Sequence, residues 1–327
     1  MKTITLISLT TILLAASACS GGGESTTAGT GGSVGSTSSG AGATSTASSS
    51  GGGGETTSSG TGGGVGDTVT IEMTPFVVPA GAEVYKCQNF ANPFGGQSAE
   101  VAKFESHMTP GSHHLLLFYK QGATDSPQED CSGLEFAATP YSTQLPDDEI
   151  TYPDGVAALI PPTTGLRMQS HYLNTTGQDL TAKVSITFHL SKAGTVTAHA
   201  GVLFVVDPKI NIPPQQTGVV KHDCNLPFDM NLVKVSSHMH KHGTNFVSTI
   251  AGKPVFSTTT WDEPQPALFD PAMSVKGGDP LSFSCTFKND TAQALTFGES
   301  AESNEMCIFV GVYYPVPNDA LVTVGCN

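Results

Sequence analysis

The chain is short of positive charge: 14 Lys and Arg stand against 28 Asp and Glu, a formal net charge of −14 over 327 residues. A surface of that sign repels phosphate backbones, which argues against nucleic acid or an anionic membrane face as partner. Also missing, between Asp67 and Asn327, is any long stretch with the 3.6-residue apolar period of a helix. Long hydrophobic runs are absent too: the stretch from Ile4 to Leu14 is too short to span a bilayer as a permanent anchor. Nor is there a Ser-His-Asp or paired-carboxylate arrangement strong enough to carry catalysis.

What is present begins with an export signal. Residues 1–18 carry an early lysine, Lys2, an apolar core and the small residues Ala15-Ala16-Ser17-Ala18. Cys19 follows at once and resembles the lipid-bearing first residue of a bacterial lipoprotein, although Ala16 stands where leucine is usual. Ordinary cleavage followed by free secretion is the alternative. From Ser20 to Gly66 the chain is almost wholly Gly, Ser, Thr and Ala. Such a segment buries too little apolar surface to offset the entropy of ordering it, so residues 19–66 are expected to form a flexible tether. Its mean reach would be on the order of 35–40 Å.

About 260 residues remain, enough for one large domain or two smaller ones. Thr68–Met73, Leu115–Tyr119, Val184–Leu190, Val202–Val206, Leu232–Val235, Phe246–Ile250, Leu281–Phe287 and Ile308–Tyr314 are rich in β-branched or aromatic residues. Gly, Pro, Asn and Asp separate them, the punctuation of an all-β fold of antiparallel sandwiches. "VDPKINIPPQQ" (206–216) contains three prolines, which cannot donate to a central ladder. A boundary near residue 207 follows, with two tandem jelly-roll-like β-sandwich domains at 67–206 and 207–327. Besides Cys19 there are six cysteines, Cys87, Cys131, Cys224, Cys285, Cys307 and Cys326, an even number that points to disulfides in an exported chain. The cut leaves two on one side and four on the other, so each can pair within its own half. Counting does not fix the connectivity.

Ten histidines are many beside 14 Lys and Arg, and most are clustered. "GSHHLLLFYK" (111–120) holds His113 and His114, "RMQSHYLN" (167–174) holds His171, and "KVSSHMHKHG" (234–243) holds His238, His240 and His242. Residues two apart in a strand share a face, so His238 and His240 can grip one ion. Neighbours point to opposite faces, so His113 and His114 can share a metal only at a strand end or bulge, for which Gly111-Ser112 gives room. His107, His189, His199 and His222 stand alone and read as satisfied polar residues. Imidazole suits Zn, Cu, Fe and Ni about equally, whereas a thioether would favour Cu(I). The residues alone single out no one of the eight methionines.

Taken together, "HHLLLF", "QSHY", "HMH", "EMC" and "YYP" resemble, in order and approximate spacing, the copper type II ascorbate-dependent monooxygenases. The resemblance runs from about residue 70 to the C-terminus. It implies two β-sandwich domains, each with one mononuclear copper, and substrate and oxygen between them. His113, His114 and His171 would hold an electron-storing copper, and His238, His240 and Met306 the catalytic one. Gln169 matches a family glutamine on the route between the metals. The implied disulfides are Cys87–Cys131, Cys224–Cys326 and Cys285–Cys307, the last clamping Met306.

The implied reaction hydroxylates an unactivated C–H bond of a small molecule with O2, a reductant such as ascorbate loading both coppers. The peptide-hydroxylating branch grips a substrate carboxylate at positions occupied here by Ser236, Ile308 and Val310, which argues against a C-terminal glycine peptide. His242 shares a face with His238 and His240 on a strand reading and is expected to sit behind the ligands rather than replace Met306. The competing readings are a non-catalytic copper-binding lipoprotein and a structural sandwich that binds nothing.

Overall fold

The computed structural model describes residues 67–135, 137–319 and 325–326, which belong to one compact unit. The export signal, Cys19 and the tether lie outside the described residues. In chain order the strands of the first half are β1 (Thr68–Glu72), β2 (Phe76–Val78), β3 (Glu83–Phe90), β4 (Ala99–Met108), β5 (Ser112–Gln121), β6 (Glu129–Asp130), β7 (Tyr141–Thr143), β8 (Asp147–Thr151), β9 (Val156–Ile160), β10 (Thr164–Leu173), β11 (Leu180–Ala182), β12 (Val184–Leu190) and β13 (Ala198–Val206). There follow β14 (Asn211–Ile212), β15 (Thr217–Asn225), β16 (Met230–His238), β17 (Gly243–Ile250), β18 (Lys253–Thr258), β19 (Ala267–Val275), β20 (Pro280–Lys288), β21 (Leu295–Thr296) and β22 (Ile308–Tyr314). Among the described residues the only helical turn is Pro317–Asp319. The all-β fold expected from the sequence is what the chain adopts.

Each strand's burial follows from its neighbours. β20 alternates strictly, with Leu281, Phe283, Cys285 and Phe287 inward and Ser282, Ser284 and Thr286 outward, because one of its faces is wet. β22 is buried along most of both faces because it is central, paired with β13 on one side and β16 on the other. A nine-stranded sheet runs β1-β12-β4-β9-β13-β22-β16-β19, with β8 added on β4. A five-stranded sheet, β6-β3-β10-β5-β7, faces it in the first half, and β15-β20-β17-β18 form a further sheet in the second. One hydrophobic cluster gathers around Phe104, Phe188 and Tyr172, another around Phe246, Phe283 and Phe309.

One strand pairing departs from a purely antiparallel reading, and one sheet crosses from the first half into the second. β13 pairs with β9 in parallel, Ala198–Ala200 against Val156–Ala158. Through β13 and β22 the nine-stranded sheet also continues past residue 207. Runs of strand residues show where strands form, but register across 40 or more residues leaves no local trace.

An internal repeat marks both halves. Residues 174–181 and 289–296 share the pattern N-x-T-x-Q-x-L-T. The Asn174 amide donates to the carbonyls of Val78, Pro79 and Gln178 at 3.0, 3.1 and 2.9 Å. The Asn289 amide donates in the same way to Ile212, Pro213 and Gln293 at 2.9, 3.0 and 2.7 Å. Each asparagine is 1% exposed, and each ties a short two-stranded pair, β2–β11 or β14–β21, to its sheet.

Three disulfides form, Cys87–Cys131, Cys224–Cys326 and Cys285–Cys307. All match the pairing the resemblance implies and suit an exported chain.

Candidate metal centre and the pocket beside it

Five imidazoles from the two halves meet at one place. His113 and His114 can both reach it because β5 bulges there. His171 of β10 lies opposite His114, but the next residue, Tyr172, lies opposite Ser112, so His113 is the extra residue. A bulge re-aims the side chain it inserts, which turns two adjacent histidines toward one side. His238 is the last residue of β16, and the chain then turns, the Gly243 amide donating to the His240 carbonyl at 2.9 Å. A Cβ on Gly243 would lie 2.8 Å from Met239 Cβ, so this turn requires glycine.

Ring centroids lie 5.4 Å apart for His113–His114, 5.0 Å for His113–His171, 4.9 Å for His113–His238, 5.3 Å for His113–His240 and 5.2 Å for His238–His240. Two imidazoles on one ion, at about 2.0–2.1 Å per bond and tetrahedral angles, have centroids about 5 Å apart. The spacing therefore suits shared ions. The nitrogens of His113, His114 and His238 lie within 4.8 Å of one another, a trio that mixes the two ligand sets implied by the sequence. The sets are thus contiguous, with no open gap between them. Among the described residues the other such trio, His222, Cys224 and Cys326, has both sulfurs committed to a disulfide.

The hydrogen bonds decide which nitrogens are free. His114 Nε2–H donates to Gln169 Oε1 at 3.3 Å and His171 Nε2–H to Glu83 Oε1 at 2.8 Å. His238 Nδ1–H donates to Gln144 Oε1 at 2.9 Å and His240 Nδ1–H to the Asn304 carbonyl at 3.2 Å. A ring that donates outward from one nitrogen presents a lone pair on the other, the arrangement seen around metal-ligating histidines. Left buried without partner are Nδ1 of His114 and His171, Nε2 of His240 and both nitrogens of His113. Burial depresses the basicity of all five rings, with neighbouring rings adding to it for His113, His171 and His238; His114 and His240 are pushed down to about 4. They are neutral at physiological pH, the ligating form. Orphaned nitrogens at that spacing fit a transition metal, and histidine with Met306 nearby fits copper.

Buried acceptors position the ligands. Glu83 joins His171 to the second half, accepting from Ser300 Oγ at 2.7 Å and from the Ala301 amide. Tyr85 stacks on His171 at 3.8 Å, and a Cβ on Gly133 would strike its ring at 2.4 Å. Glu305, fully buried, accepts the amides of His240 at 3.0 Å and His242 at 2.7 Å. Burial raises its carboxyl to about 8 against the pull of those amides and that of Met306. Gln169, also fully buried, donates to the Ser132 carbonyl at 2.9 Å and so sets the His114 ring.

Glu83, Gln144, Tyr85 and Glu305 are not reached by sequence reasoning. Only Glu305 had a local signal, as the first residue of "EMC". His242 does not share the cluster's face, because the strand ends at His238; its ring instead lies 3.4 Å from the Glu302 carbonyl and 3.6 Å from Asp290. The lone histidines face carboxylates: His107–Asp147 at 2.6 Å, His189–Glu105 at 2.7 Å, His199–Glu100 at 3.5 Å and His222–Asp207 at 3.7 Å.

A pocket opens from the histidines between two sheet faces. Period-two alternation puts Lys234, Ser236 and His238 of β16 on its floor beside Ile308, Val310 and Val312 of β22. Phe204 and Val206 of β13 extend the floor. The opposite wall is His114, Leu116 and Phe118 of β5. Met306, 5% exposed, lies at the histidine end with His114 and His238.

Fold and site together define a β-sheet protein with a buried imidazole cluster able to hold a metal ion beside an apolar pocket. Residues 198–326, from the first residue of β13 onward, match the family model for the copper type II ascorbate-dependent monooxygenase C-terminal domain. The resemblance in the motifs is therefore shown over that span, and the family is copper dependent. No curated protein sequence matches the chain. Among solved structures, that of the STIV MCP aligns with a TM-score of 0.35 at 9% identity, covering 77% of this chain and 98% of that one. The major capsid protein P2 of bacteriophage PM2 aligns with a TM-score of 0.32 at 9% identity, covering 77% and 99%. Neither score reaches the level at which two chains share a fold.

Proposed function

We propose that the chain is a copper monooxygenase that hydroxylates a C–H bond of a small organic molecule with O2 and a reductant such as ascorbate. The observation that carries this reading is a cluster of five buried imidazoles, four of them with a buried nitrogen that has no protein partner, beside an apolar pocket lined by two of the rings. His113, His114 and His171 would hold one copper through Nδ1 atoms. His238 and His240 would hold a second through Nε2 atoms, with the Met306 thioether as third donor. Copper supplies one-electron exchange with O2, which no side chain here provides. In the overall balance one oxygen atom enters the substrate and the other leaves as water, with two electrons from the reductant and two protons.

The chain's own residues do the rest. Glu83, Gln169, Gln144 and the Asn304 carbonyl hold the rings in the ligating tautomer. Leu116, Phe118, Val310 and Val312 exclude water and lay the substrate along the floor toward His238 and Met306. Export through residues 1–18, a lipid on Cys19 and the tether at 19–66 would place the domain at a bacterial cell envelope; free secretion without the lipid is the alternative.

The test is oxygen uptake by the copper-loaded chain with ascorbate across small amines, amides and aromatic compounds. Substrate-dependent uptake with a hydroxylated product is expected. Met306→Leu should abolish it while most copper stays bound. Tight copper binding without turnover on any compound would favour a copper-handling lipoprotein instead.

A further inference from the structure

The pocket's charges show what it would accept. Its lining includes one cation, Lys234, and one anion, Glu135, beside the neutral histidines. Neither charge is available. Lys234 Nζ lies 2.6 Å from Asp148 Oδ2, with side chains only 9% and 5% exposed. Asp148 is held in turn by the Tyr141 hydroxyl at 3.1 Å, itself bonded to Ser106 at 2.7 Å. Glu135 accepts from Arg167 Nε at 2.9 Å, and Arg167 also donates to Asn89 and Glu129. Both pairs are closed before any ligand arrives. A ligand carboxylate would have to displace Asp148 from Lys234, and an ammonium would have to break the Glu135–Arg167 pair; either leaves a charge buried without its partner.

The lining hydroxyls carry no charge. Thr139 Oγ1 donates to the Ala137 carbonyl and Thr143 Oγ1 accepts from the Leu145 amide, while Ser237 Oγ, buried without a partner, is free to meet a neutral polar group. Leu116, Phe118, Phe204, Ile308, Val310 and Val312 supply most of the contact. From His238 to Lys234 the floor runs four residues along one strand, about 13 Å at ~3.3 Å per residue. The cavity measures about 110 Å³, comparable with an apolar cavity of about 150 Å³ that holds benzene.

From this the geometry points to a neutral substrate built on a single ring or an equivalent apolar group, taken up without a carboxylate or ammonium anchor, with the Lys234–Asp148 pair acting as the element that rejects acids. This inference rests on the monooxygenase reading for the word substrate, but pocket selectivity is measurable apart from turnover.

Three probes share one phenyl ring and one chain length: phenylacetamide, phenylacetate and phenethylamine. Their affinities for the full chain would be measured by calorimetry at neutral pH, with copper loaded under nitrogen and again with copper stripped. The amide should bind at least about ten-fold tighter than either charged analogue in both forms. Equal or tighter binding of phenylacetate or phenethylamine, or no saturable binding of the amide, overturns the inference. Asp148→Asn frees Lys234 and should raise phenylacetate affinity about ten-fold, and the Asp148→Asn/Lys234→Met double variant should lose that gain while still binding the amide. If the single variant does not fold, the wild-type ranking decides. Copper content and ascorbate-driven oxygen uptake of the same preparations separate the two claims. An active enzyme with the reverse ranking sinks only the pocket assignment, and the expected ranking in a chain that never turns over sinks only the oxygenase.

Discussion

Glu305 is the residue whose removal should tell most about how the second ligand set is held. Its carboxylate is fully buried and accepts the amides of His240 at 3.0 Å and His242 at 2.7 Å, with the Met306 amide as a third donor. The turn that carries His240 and the segment that carries Met306 are therefore fixed to one side chain. Glu305→Ala leaves two or three buried N–H groups without an acceptor. At about 1–3 kcal/mol for each, the loss should be about 2–9 kcal/mol. Glu305→Gln keeps one acceptor oxygen but turns an NH2 toward the other amide, so about half that loss is expected. Denaturant unfolding of the copper-free chain with disulfides intact gives the stability difference. Copper titration followed through Trp261, the one tryptophan and 5.4 Å from His113, gives the affinity. Affinity should fall in the same order, wild type above Gln above Ala. An alanine variant within about 0.5 kcal/mol of wild type and with unchanged copper affinity would refute the reasoning.

Glu83→Gln removes the carboxylate that orients His171 and should weaken copper binding about 10–100-fold, checked by competition with a chelator. His242→Ala should leave copper stoichiometry unchanged, whereas His240→Ala should lower it; metal analysis of the two variants separates them. Stability of the copper-free chain should depend on pH through the histidines. His114 and His240 are held near 4 against an unfolded value of 6.5, so the unfolded chain takes up protons first as pH falls. Their contribution is present above about pH 6.5 and is lost as pH drops toward 4, about 3 kcal/mol for each. Glu305, raised to about 8 from 4.5, has the opposite slope and lowers stability as pH rises through that window. Denaturant melts across pH should therefore show a maximum near neutrality; a flat profile down to pH 4 would contradict the burial argument.

Much of the site was legible because its signals are local. Paired histidines before an apolar run, with Gly111-Ser112 ahead of them, point to a bulge, and the register slip between His171 and Tyr172 is that bulge. Val184–Leu190 and Ile308–Tyr314 end where their β-branched and aromatic runs end. What was not legible depends on distant partners. Glu83 is 88 residues from His171 and Gln144 is 94 from His238. The parallel β9–β13 pair and the closeness of the two ligand sets are likewise set by how distant strands pack. The same-face premise for His242 assumes an unbroken strand, and the strand stops at His238, so its position too depends on the turn that follows.

The account stands or falls on whether the imidazoles of each half bind a copper of their own. X-ray absorption at the copper edge, with metal analysis of the reconstituted chain, measures this most directly. Two coppers per chain with a coordination sphere dominated by imidazole, one sulfur among the ligands, and loss of one copper on His113→Ala and of the other on His238→Ala are expected. A single equivalent in the wild type, or both coppers staying bound when one half's histidines are removed, would contradict it.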